Sequence, residues 1–189
     1  MTDIIGFAGS LSAPSRTRAL VDRAVRQSAA LSGRTSHVFD LGDLDASFGT
    51  AQRYADLGPK ARDAVDRLIA ADALVVGSPV YKGSYSGLFK HLFDLLDPDA
   101  LKGKPVLLTA TGGGHRHALV IEHQLRPLFG FFEAATLATG VYAASEDFDE
   151  GQPTSPALLA RLQDAASQLA LAIGTRGPAR SRDLAYSLA

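Results

Sequence analysis

The sequence contains no cysteine, no tryptophan and a single methionine. Without a thiol there is no disulfide, no thiolate metal site and no cysteine nucleophile, and neither redox compartment is favoured by that absence. Any redox chemistry therefore belongs to a cofactor. Neither sign of charge is in excess: 19 Lys and Arg against 20 Asp and Glu leave a formal charge of −1, and the sequence pI is about 6.5. No basic field is available to hold a polyanion, so nucleic acid is not an expected partner. Long hydrophobic runs are missing too. The start, Met1-Thr2-Asp3, leads into a short strand-like run and not a basic segment with a long apolar stretch. We therefore expect no signal peptide, no membrane span and a cytoplasmic location. The dinucleotide pattern GxGxxG is absent, since Phe7-Ala8 separate Gly6 from Gly9, and so is the Walker lysine motif.

What is present fits one globular domain. The chain has 189 residues, 46% hydrophobic and 21% charged, with 18 Gly and 9 Pro, which excludes disorder and coiled-coil architectures. Apolar runs at residues 4–8, 35–41, 73–77, 104–111 and 137–143 read as strands. Between them Leu20, Val21, Ala24 and Val25, then Ala61, Val65 and Leu68, then Phe89, Leu92 and Phe93 recur at helical spacing. A helix over 115–133 and a closing helix over 157–173 follow. Residues 41–58 read as a long connection and the acidic stretch 145–156 as a loop. Nearly all-apolar strands alternating with helices imply a doubly wound α/β fold with a five-stranded parallel sheet covered on both faces. The domain spans residues 1–175, and residues 176–189, with Arg176, Arg180 and Arg182 and little to bury, read as a flexible tail.

Ligands of such sheets bind outside the carboxyl ends of the strands, where the winding reverses. The three most turn-rich loops of the chain fall there. After strand one, Gly9-Ser10-Leu11-Ser12-Ala13-Pro14-Ser15-Arg16-Thr17 offers hydroxyls, helix N-terminal amides and a guanidinium, a set suited to a phosphate monoester. After strand three, Pro79, Tyr81, Gly83 and Gly87 offer an aromatic face and small residues that let a flat ring approach the main chain. After strand four, Thr111-Gly112-Gly113-Gly114 presents amides without side-chain bulk. Amides fixed there would stabilise negative charge arriving on a bound flavin. No side chain need act as acid or nucleophile, so we assign no catalytic residue. His115, His117 and His123 do not have the spacing of a zinc site, and no metal is expected. Pro127 lies within the fourth helical pattern and cannot donate to the carbonyl of His123, so a kink or π-bulge is expected around His123.

The stretch from Ser78 to Asp97, SPVYKGSYSGLFKHLFDLLD, with Ala110 to Gly114 and with His117 to Phe129, HALVIEHQLRPLF, resembles the NAD(P)H-dependent FMN reductases of the flavodoxin-like superfamily. It is most similar to those serving two-component alkanesulfonate or methanesulfonate monooxygenases. The resemblance covers residues 3–175. It implies strand order 2-1-3-4-5, a homodimer or homotetramer, and hydride transfer from NADH or NADPH to FMN, with FMNH₂ passed to a flavin-dependent monooxygenase. It further implies that Ser10, Ser15, Arg16 and Thr17 meet the FMN phosphate. Pro79, Val80, Tyr81, Lys82, Gly83 and Ser84 would meet the isoalloxazine edge, and Thr111, Gly112 and Gly113 its pyrimidine end. It also implies that His123 is the position of a π-helix near the subunit interface. An FMN-bound quinone or azo reductase, and a flavodoxin-like electron carrier, remain the alternative readings.

Overall fold

Two facing rows of apolar side chains on the central strands require helices on both sides of the sheet, and a computed structural model, which describes residues 3–174, shows this arrangement. Strands β1 (Asp3–Ala8), β2 (Thr35–Asp40), β3 (Ala73–Pro79) and β4 (Pro105–Gly112) are parallel. The sheet order β2-β1-β3-β4-β5 is that of the flavodoxin-like doubly wound class. Along β3 the side chains alternate. Leu74 and Val76 enter the core beneath helices α2 (Pro59–Ala70) and α3 (Gly87–Asp94). Ala73 and Val75 enter the core beneath α1 (Arg16–Ser32) and α5 (Pro156–Gly174). The expected tail lies outside the described residues.

Local chemistry sets the helix ends. Ser15 caps α1, its Oγ accepting from the Arg18 N–H at 3.1 Å, and α1 stops at Gly33, whose φ of 65° needs a residue without a Cβ. Ser86 caps α3 in the same way, accepting from the Phe89 N–H at 3.2 Å. Phe7, Phe89 and Phe93 form the centre of the first core. Phe7 stacks on Phe89 at 5.6 Å, and Phe93 packs on Phe89 at 5.0 Å. Each such pair adds about 0.5–1.5 kcal/mol to burial alone.

The structure departs from the sequence reading in three places. The fifth strand is broken into β5 (Ala135–Thr136) and β6 (Val141–Ala144), both parallel to β4. Between them Arg126 Nη1 donates to the Leu137 carbonyl at 2.9 Å and Arg161 Nε to the Gly140 carbonyl at 2.7 Å, so the carbonyls that leave the ladder are satisfied by side chains. The helix expected over 115–133 is divided into a 3₁₀ turn (His115–His117), a π-helical segment (Ile121–Leu125), which is the π-bulge expected around His123, and α4 (Arg126–Phe131). The Arg126 N–H bonds to the Ile121 carbonyl five residues back. The widened turn pushes Ile121 against Gly140, where a Cβ would lie 2.5 Å from Ile121 Cγ2. Finally, the acidic stretch forms a 3₁₀ turn and a small hairpin, β7 (Phe148–Asp149) with β8 (Gln152–Pro153). Its turn residues Glu150 and Gly151 have φ of 46° and 79°. Among the described residues no helix is long and apolar enough to cross a membrane.

Lys104, just before β4, is 8% exposed. Its Nζ donates to the carbonyls of Ile69 and Ala71, both at 2.5 Å, and so closes the C-terminus of α2 with a cation. Hydrogen bonds to a charged group contribute about 1.5–3 kcal/mol. Lys104→Met is therefore expected to lower the melting temperature by roughly 3–12 °C, at 2–4 °C per kcal/mol for a chain of this size. Ligand binding at the carboxyl ends of the strands should stay near its wild-type strength, because this lysine sits at the opposite edge of the sheet. A thermal melt beside a ligand titration checks both.

Candidate functional site

Because β1, β3 and β4 are parallel, their carboxyl ends share one edge, with Ala8 opposite Gly77 and Pro79 opposite Thr111. The three loops are tied together there. The Gly9 N–H donates to the Gly77 carbonyl at 2.7 Å, and Ser86 Oγ donates to the Gly9 carbonyl at 2.8 Å. The Val80 N–H donates to the Thr111 carbonyl at 2.7 Å. Thr17 Oγ1 and Thr111 Oγ1, both buried, share a hydrogen bond of 2.6 Å between the first turn of α1 and the end of β4.

The first loop carries a cis peptide between Ala13 and Pro14. Ser10 is buried, its Oγ accepting from the Ser12 N–H at 3.2 Å. Ser15 is the helix cap and Thr17 faces Thr111. Among the described residues the amides of Arg16 and Thr17 have no hydrogen-bond partner. The Arg16 side chain is exposed, its guanidinium 5.9 Å from the centre of the Phe148 ring. Arg18 is not available to the loop. It bonds Asp40 at 2.7 Å and Asp43 at 2.5 Å, and these contacts, the Asp40 hydrogen bond foremost, raise its pKa further.

In the second loop Pro79 is buried and Val80 half-buried. Tyr81 and Ser84 exchange backbone bonds of 2.9 and 3.1 Å across a tight turn in which Lys82 and Gly83 have φ of 52° and 85°. Tyr81 remains 55% exposed, leaving its ring face open. Ser84 Oγ meets Gln124 Oε1 at 3.1 Å, which joins this loop to the π-helical segment. The third loop is held from below by Tyr142, whose hydroxyl donates to the Gly114 carbonyl at 2.6 Å. A Cβ at Gly112 would lie 2.2 Å from that hydroxyl, whereas one at Gly113 would meet nothing. Burial raises the Tyr142 pKa and keeps the donor protonated. The amides of Gly113 and Gly114 have no partner among the described residues.

His123, in the π-helical segment, is exposed. Its neighbour Glu122 is held by Arg126 at 2.6 and 2.8 Å, which lowers the Glu122 pKa. Among the described residues no group of three or more His, Asp or Glu is placed to hold a metal ion.

Sequence reasoning did not single out Ser86, Tyr142 or Phe148. Ser86 has a visible signal, a serine directly before an apolar helical run. Tyr142 and Phe148 have none, because their roles depend on which loop each strand end lies under.

Unpartnered amides and a cation at one corner, and bare glycine backbone beside an open aromatic face at the other, suit a phosphate monoester joined to a planar heterocycle. The sheet that carries these donors has the strand order of the flavodoxin-like class. Residues 2–149 match the model of the family described as NADPH-dependent FMN reductase. The chain is 46% identical to the NADH-dependent FMN reductase SfnF of Pseudomonas fluorescens over 175 residues, 91% of this chain and 92% of that one. It is 44% identical to the FMN reductase (NADPH) of Pseudomonas aeruginosa over 173 residues, 92% and 93% of the two chains. The X-ray structure of an oxidoreductase from Corynebacterium diphtheriae is similar with a TM-score of 0.84 and 37% identity, over 94% of this chain and 99% of that one. The chain belongs to the NADPH-dependent FMN reductase family, and its chemistry is that of an oxidoreductase using FMN and a reduced pyridine nucleotide.

Proposed function

We propose that the chain takes FMN as a substrate at the carboxyl edge of its sheet and releases FMNH₂ to a flavin-dependent monooxygenase of sulfonate metabolism, in the cytoplasm. The observation that carries the reading is the set of four unpartnered amides, those of Arg16 and Thr17 at one corner and of Gly113 and Gly114 at the other. FMN held there would supply the acceptor for the hydride of the nicotinamide, with the balance NAD(P)H + H⁺ + FMN → NAD(P)⁺ + FMNH₂.

The chain's own residues bind and orient. Arg16, with the amides of Arg16 and Thr17, holds the phosphate. Ser15 shapes that corner as helix cap, while Ser10 and Thr17 set the loop's form through their bonds to Ser12 and Thr111. The turn from Pro79 to Ser84 lies along the ring edge. Gly112 allows the close packing of Tyr142, and the amides of Gly113 and Gly114 donate toward the pyrimidine end, where negative charge develops. No side chain relays a proton in this scheme. Copies of the chain associate as a dimer or tetramer through the face that carries His123, where Leu119 and Phe131 are 63% and 67% exposed.

Gel filtration of the protein mixed with FMN, followed by an NADH and NADPH oxidation assay, tests this. The protein should emerge largely colourless and turn over only when FMN is added. Retained yellow colour with rapid quinone or azo-dye reduction would overturn the substrate role of FMN, and no turnover with added FMN would favour an electron carrier.

A further inference from the structure

Beside the ring loop lies a cavity of about 190 Å³ between Gly83 and the segment that leads into the π-helix, lined by Arg116, His117, Leu119, His123 and Gln124. No carboxylate lines it. Glu122, the acidic residue nearest in sequence, is engaged by Arg126 at 2.6 Å, and Glu146 is engaged by His115 at 2.8 Å. Arg116 Nε–H donates to His117 Nε2 at 3.2 Å. That bond leaves the proton of a neutral His117 on Nδ1, where it is a donor. It also leaves the terminal fork of Arg116 without a partner among the described residues. A guanidinium fork and imidazole donors with no opposing acid form a recognition set for a phosphate oxyanion.

Size and place narrow the ligand. The cavity is smaller than the roughly 300–1,000 Å³ that encloses a whole drug-sized molecule, so it takes one charged end of a larger ligand. Gly83 belongs to the turn assigned to the ring edge, and the neighbouring Ser84 bonds Gln124 of the opposite wall. A ligand end held here is therefore attached to whatever lies over the ring. We infer that this cavity is the phosphate subsite for the reduced pyridine nucleotide, with Arg116 as its principal binding residue. The inference rests on the flavin site proposed above. It also lies on the face proposed to join copies of the chain, so the nucleotide would run along the cleft between them.

Isothermal titration of the wild-type protein and of Arg116→Gln with NADP⁺ and with NAD⁺ tests the inference without turnover. Loss of the fork is expected to weaken NADP⁺ binding about tenfold, the equivalent of about 1.4 kcal/mol. NAD⁺ binding unchanged beside that loss assigns the 2′-phosphate to the cavity. An equal loss for both assigns the shared diphosphate, and either result supports the phosphate subsite. Unchanged binding of both nucleotides overturns it while leaving flavin reduction intact. A wild-type chain that neither binds the nucleotides nor reduces FMN overturns the functional reading instead. Should the variant misfold, competition on the unaltered protein decides. Adenosine 2′,5′-bisphosphate or ADP must compete with NADPH, and failure of both sinks the inference.

Discussion

Gly9→Val is expected to abolish measurable FMN binding and to lower the melting temperature by roughly 2–12 °C. A Cβ at Gly9 would lie 2.6 Å from both Cβ and Cδ2 of Phe89. Phe89 cannot withdraw, since it is fully buried and stacked on Phe7 at 5.6 Å. The loop cannot easily rise either. The Gly9 N–H is held by the Gly77 carbonyl at 2.7 Å, and its carbonyl by Ser86 Oγ at 2.8 Å. Overpacking of this kind costs about 1–3 kcal/mol, and 2–4 °C per kcal/mol sets the thermal shift. Because Gly9 opens the loop proposed to hold the phosphate, whatever movement relieves the clash carries the unpartnered amides of Arg16 and Thr17 with it. Gly9→Ala should give a smaller version of the same effect. A thermal melt paired with a flavin fluorescence titration reads both consequences, and a valine variant with wild-type melting and affinity would show that Phe89 is not the wall beneath this loop.

The second large effect separates phosphate from ring. Arg16→Ala is expected to raise the KM for FMN by about 10–100-fold while changing that for riboflavin by no more than about twofold. Charge-assisted hydrogen bonds contribute about 1.5–3 kcal/mol, and each 1.4 kcal/mol is a factor of ten. No other cation of the loop can compensate. Arg18, two residues on, is held by Asp40 at the end of β2 and Asp43 in the turn after it, at 2.7 and 2.5 Å. Steady-state assays with the two flavins decide the matter. Equal changes for FMN and riboflavin would mean that the Arg16 side chain does not meet the phosphate.

Much of this architecture was legible along the chain. The all-apolar run of β3 declared a doubly covered strand, and the loops after β1, β3 and β4 stood out by their glycines and hydroxyls. Pro127 marked the departure from α-helical bonding, because a missing N–H is a property of one residue and needs no tertiary knowledge. The structure places the π-helical segment at Ile121–Leu125, directly before the helix that contains this proline. The broken fifth strand was not legible. Leu137 to Ala143 reads as one apolar run, and its interruption depends on Arg126 and Arg161 reaching in from two helices to take the carbonyls of Leu137 and Gly140. The hairpin at Phe148–Pro153 was hidden for a similar reason, since its strands are two residues each, too short for any periodicity.

Local composition alone therefore determined the layered α/β class and the edge at which the glycine- and hydroxyl-rich loops gather, because strand burial and turn chemistry are properties of short segments. Tertiary structure decided which donors remain unspent. Thr17 is engaged by Thr111, 94 residues away, and Arg18 is drawn off by two aspartates of β2 and the turn after it. Arg116 keeps its fork open because the nearby acids already have partners. Whether a polar group is available to a ligand depends on everything that reaches it in space.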